Sequence, residues 1–172
     1  MVKLFSLLAI ISLTSMSNYA FAQKKKHKKY KMEQSIPAPH SSSINCDTSI
    51  WKYVYNRERL TVLEYCKTVT GTIEECSADD DGDQHMLLKL DKGQENLLTK
   101  RNYTKKQGYL VIEAVCANKT SLKKVGTTCK GYTNQIQIPT VGKHVKVTGS
   151  LVIDSHNGWA EIHPITHMEI LP

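Results

Sequence analysis

The sequence predicts a mainly β protein, a five-stranded OB-fold-like Greek-key barrel with a long insertion between strands 3 and 4. Three observations lead to that class. Runs of β-formers with period-two alternation dominate from Leu60 onward. Five such runs can be marked off by turn residues, short of the roughly seven that an immunoglobulin-like sandwich needs. The first run is long and carries Gly71 at its middle, where a bulge or sharp bend is expected.

The chain has 172 residues, and the first 22 read as a secretory signal. Lys3 supplies the positive start, residues 4–13 an apolar stretch too short to span a bilayer, and Ala20-Phe21-Ala22 a cleavage site. The mature chain is expected to begin at Gln23 and to be secreted or periplasmic, with no later run apolar enough for a transmembrane helix. Residues 23–45 form a basic tail and linker. Lys24, Lys25, Lys26, Lys28, Lys29 and Lys31 repel one another and resist folding, and Pro37, Pro39 and Ser41 to Ser43 continue as a linker. The formal charge of +7 belongs to this end: from Met32 onward sixteen Lys and Arg face sixteen Asp and Glu. A neutral folded part argues against a nonspecific nucleic-acid binder, whose body should also be basic. The tail itself can attract an anionic polymer or envelope surface, or serve solubility alone.

Residues 46–172 make one domain, large enough for a single core. Strand 1 spans 60–76, with Thr68, Thr70 and Thr72 alternating against Val69, Gly71 and Ile73. Residues 78–83 are an acidic turn, and strand 2 spans 85–90 with Met86, Leu88 and Leu90 toward the core. Residues 92–106 are polar and loop-like, with a helical turn near 94–99. Strand 3, 109–116, is apolar on both faces except at Glu113, which marks it as central. The insertion 117–140 holds a short helix near 121–125. Strands 4 and 5 span 143–154 and 159–170, and Asn157-Gly158 between them is a strong hairpin signal. Pro164 marks a bulge, an edge or a strand end.

An export signal permits disulfides among the five cysteines. Cys116 with Cys129 would staple the start of the insertion, and Cys46 with Cys66 would tie the linker to strand 1. Cys76 is then left over, and no paired C-x₂₋₄-C spacing suggests zinc.

The densest chemistry lies in residues 149–165. Along strand 5, Ala160 and Ile162 point one way and Trp159, Glu161 and His163 the other. His85, His156, Trp159, Glu161 and His163 are therefore the candidate ligand-binding residues. A metal or acid–base cluster would use Asp154, His156, Glu161 and His163, and His85 would join Glu161 and His163 in a polar, candidate metal-binding cluster if the barrel brings it near; the plainer alternative is hydrogen bonding across the sheet. Trp159, Tyr103, Tyr109 and Tyr132 are candidate stacking platforms. Residues 79–83 fail the calcium-loop pattern, since twelve-residue windows opening at Asp79 or Asp81 close on Leu90 or Lys92. A nuclease is disfavoured because Arg57, Arg59 and Arg101 are the only arginines and none sits on a predicted strand beside an acid cluster. The sequons at Asn102 and Asn118 read as chance.

Cys66-Lys-Thr-Val-Thr-Gly71, Asp81-Gly-Asp-Gln-His85, Gly142-Lys-His-Val-Lys-Val-Thr-Gly149 and Gly158-Trp-Ala-Glu-Ile-His-Pro164 together resemble small exported bacterial proteins of unassigned function. That resemblance covers about residues 55–171 and implies export and an OB-like barrel, with no reaction and no catalytic residue. The expectation is an exported binding module without catalysis or cofactor, its ligand an oligosaccharide, a nucleic acid or a protein surface. The alternative is a metal-dependent hydrolase using the His/Glu cluster.

Overall fold

The computed structural model describes residues 46–172. The expected signal, the linker and the lysines Lys24, Lys25, Lys26, Lys28, Lys29 and Lys31 lie outside the described residues. The fold is mainly β, with five strands: β1 (Leu60–Ala78), β2 (Gln84–Leu90), β3 (Leu110–Ala114), β4 (His144–Asp154) and β5 (Ala160–Ile170). They form one mixed sheet whose strands ring round in the order β1-β2-β3-β5-β4, with β4 pairing back onto β1. The β3–β5 pair is parallel and the others antiparallel. No helix among the described residues is long and apolar enough to cross a membrane.

Strand β1 closes the ring because it is long enough to pair twice. Its first half lies along β4 and its second half runs along both β4 and β2, so Gly71 faces Leu90 on one side and Val145 on the other. The bulge expected at Gly71 is absent; the register slips instead between Val62 and Lys67 and between Ile73 and Glu75. Gly71 is needed for close approach, since a Cβ there would overlap the Lys89 carbonyl. Pro164 does sit in a bulge: Ile162 pairs with Leu151 and Ile165 with Gly149, so two residues of β5 oppose one of β4.

The interior follows the alternation read from the sequence. Val69, Ile73, Met86, Leu88, Leu110, Ile112, Val145, Val147, Ala160, Ile162 and Ile165 fill the ring. A second apolar cluster packs Ile50 and Val54, from the N-terminal 3₁₀ segment, with Leu60, Val115 and Val152. Both expected disulfides are present and fasten this side, Cys46–Cys66 and Cys116–Cys129, leaving Cys76 as a free thiol.

The 92–106 segment is more ordered than its polar composition suggests. A short 3₁₀ turn (Glu95–Leu97) leads into α1 (Lys100–Lys105), which Thr99 caps by accepting from the Arg101 and Asn102 amides. In the insertion the expected helix is reduced to a 3₁₀ turn over Lys123–Val125.

Candidate binding cleft

Strand register brings three ionisable side chains into a row on the face opposite the packed interior. His85 on β2 pairs with Glu113 on β3. The parallel β3–β5 register sets Val111 beside Glu161, so two residues on Glu113 meets His163, whose Nδ1 lies 2.9 Å from its carboxylate. Glu161 reaches the same Nδ1 at 3.3 Å and accepts from the Trp159 indole N–H at 2.9 Å. Glu161 thus links Trp159 to His163.

Their exposure departs from expectation. Glu161 and His163 are wholly buried, so they do not present themselves on an open face. The accessible surface above them is a cleft of about 310 Å³. Among the expected residues His85, Asp154 and Trp159 line it, joined by Arg59, Lys106 and Glu113. Lys106 sits 4.2 Å above the Trp159 ring and its amine is 3.1 Å from His85 Nε2. His156 is exposed and outside the lining; only its backbone amide takes part, donating to Asp154. The tyrosines do not converge here: Tyr103 is exposed, Tyr132 stacks on Tyr53, and none lines the cleft.

Arg59 reaches the acid cluster without standing on a strand. It enters from the turn before β1 and pairs with Asp154 at 2.8 Å and Glu161 at 3.5 Å. Asp154 in turn shapes the β4–β5 loop, accepting from the His156 and Asn157 amides and from the Asn157 side chain. Gly158 then takes a φ of +80° to return the chain. Loop, cation and buried carboxylate are one unit.

Asp83 ends the acidic turn and is also buried. One of its oxygens accepts from the Cys116 amide at 2.8 Å; the other lies 3.5 Å from His163 Nε2, and neither of these last two atoms makes a hydrogen bond.

The electrostatics follow from this crowding. Burial opposes charge on His163, but the field and hydrogen bonds of Glu113 and Glu161 outweigh it and hold the imidazole pKa well above its ordinary value. Burial likewise works to raise Glu113, and His163 overrides it, bringing the carboxylate down. At Asp83 burial wins over the opposing field of His163 and the Cys116 amide and, with Asp81 nearby, pushes the carboxyl up to about 7. His85 is lowered, chiefly by burial, which keeps it neutral beside Lys106.

Sequence reasoning placed Trp159, Glu161, His163 and His85 together but missed Arg59, Asp83 and Lys106. Glu113 had a visible signal, being the one acid in an apolar strand. Asp83 sat among four aspartates with nothing to single it out, and Arg59 and Lys106 arrive from segments whose position no local pattern fixes.

No known family profile matches the chain, and no curated protein is significantly similar to it.

Proposed function

We propose that this chain is an exported OB-fold-like binding module without catalysis, and that an oligosaccharide is the ligand class its cleft suits best. The closed strand order, with a parallel β3–β5 contact and a long first strand shared between β2 and β4, supports the OB-like Greek-key reading. Two disulfides are compatible with an oxidising compartment, which supports export.

The observation that carries the ligand class is the composition of the cleft. Arg59 and Lys106 are set among Glu75, Asp79, Glu113 and Asp154, with Asn157, Ser77 and the Trp159 indole completing the wall. Carboxylates, an amide and a hydroxyl facing one space suit a hydroxyl-rich, uncharged ligand, and an indole edge gives it an apolar contact. A polyanion would meet four carboxylates against two cations, which disfavours nucleic acid at this place. Burial of Glu161 and His163 keeps both from a substrate and weighs against the hydrolase alternative. The lysine tail adds attraction to anionic surfaces, independent of the cleft.

The test uses the mature chain against an array of neutral and acidic oligosaccharides, with single-stranded DNA as comparison, at low and high salt. A neutral sugar should bind with little salt dependence and be lost in Trp159→Ala. DNA binding should fall steeply with salt and vanish when residues 24–31 are removed. Retention of no sugar, with salt-resistant DNA binding that survives tail removal, would refute the reading.

A further inference from the structure

The two unpartnered buried atoms point to a ligand. His163 Nε2 and Asp83 Oδ2 face each other at 3.5 Å, on residues 0 % and 1 % exposed, with no hydrogen bond to either. At 3.5 Å the pair is long for a hydrogen bond, so in a dry interior each atom lacks a close partner, and an ion between them would supply one. A proton shared between them would draw the pair to about 2.7–2.9 Å. The spacing fits two ligands of one tetrahedral ion, which stand about 3.3–3.4 Å apart when each bond is about 2.0–2.1 Å.

The surroundings agree. His163 Nδ1 is held by carboxylates, the arrangement that fixes a metal-binding imidazole and leaves Nε2 free. Two carboxylates compete for that single N–H, so one is in excess. Glu113 can turn away, because Glu161 also reaches Nδ1. One donor atom each from Asp83, Glu113 and His163 lies within 4.8 Å of the other two. With the imidazole neutral, Arg59 is the one permanent cation paired with the buried carboxylates of Asp83, Glu113, Glu161 and Asp154 among the described residues, an imbalance a divalent ion would correct.

We propose that Asp83, Glu113 and His163 bind one divalent transition-metal ion of the zinc class, with Glu161 orienting the imidazole. The ion joins the turn before β2 to β3 and β5 and neutralises the carboxylates beneath the cleft. One nitrogen and few oxygens favour zinc over calcium or magnesium, which take oxygen donors in larger number. The site does not depend on what the cleft binds.

The experiment takes the mature protein, stripped with chelator, and titrates it with Zn²⁺ by calorimetry and with Co²⁺ by visible absorption. One equivalent should bind with a rise in Tm. Asp83→Asn and Glu113→Gln should each weaken zinc by about 100-fold, and Glu161→Gln by about 10-fold. His144→Gln, a surface histidine paired with Asp91, should change nothing. If Asp83→Asn does not fold, Glu113→Gln and the wild-type stoichiometry decide. Less than half an equivalent on folded wild type, or uptake unchanged in the foldable Asp83 and Glu113 variants, would overturn the site.

Discussion

Arg59 shows how much one side chain carries here. Its guanidinium bridges Asp154, which organises the β4–β5 loop, and Glu161, which has no exposure at all. Burial opposes its charge, but Glu161, Glu113 and Asp154 keep it firmly protonated. Replacing Arg59 by Ala leaves the buried Asp154 without its cation and takes the more exposed of two cations from Glu161, at a cost of about 3–5 kcal/mol in urea unfolding. A loss under about 1 kcal/mol would mean that those carboxylates are satisfied by other groups. Cys76 offers a chemical test at the same scale. Burial raises its thiol pKa, outweighing the Gln84 amide that donates to Sγ. The reactive thiolate is therefore scarce near neutral pH. Alkylation by iodoacetamide should run slower than for free cysteine at pH 8 and reach half its limiting rate at higher pH. A rate equal to that of free cysteine would contradict this placement.

Among the elements, α1 is the one whose role only three dimensions reveal. Asn102, its third residue, is fully buried and ties α1 to β5 and to the chain entering β3. Its carbonyl accepts from the Thr99 and Ala160 amides, and its amide donates to the Tyr109 and Ala160 carbonyls. Asn102→Ala strands those backbone groups and should destabilise by about 3 kcal/mol or more, measured by thermal or urea unfolding. An effect no larger than a surface substitution would refute the clamp. The sequon reading of Asn102 as chance accords with this burial, which hides the amide from modification. The strands themselves were legible, because each has alternation to read: Met86 and Leu88 inward, Ala160 and Ile162 inward, Glu161 and His163 opposite. Their burial was not legible. Alternation gives the face of a strand, whereas what covers that face comes in part from Arg59 and Lys106, set by distant turns. Gly71, where the sequence predicts a bulge or sharp bend, permits a close crossing with β2 and carries no register slip.

Across the whole molecule, the ring of strands holds an apolar interior on one side of β5 and a charged network on the other, while the disulfides fasten a third region. Cys116–Cys129 closes a loop of sequence separation 13 and anchors the insertion to the end of β3. Replacing both cysteines by Ser should lower stability by about 3 kcal/mol, from released loop entropy. Neither cysteine lines the cleft, so ligand affinity should be preserved in the folded variant. Coupled loss of both would imply that the insertion contributes to the contact surface. The central claim is that ligand is met in the cleft roofing Glu161 and His163. It is tested most directly by following backbone and indole amide resonances of ¹⁵N-labelled mature protein during titration with the sugar selected from the array. The account predicts shifts concentrated at His85, Lys106, Glu113, Asn157 and the Trp159 indole N–H. Shifts confined to the lysine tail or to the insertion around Lys119 and Lys130, with the cleft resonances unmoved, would contradict it.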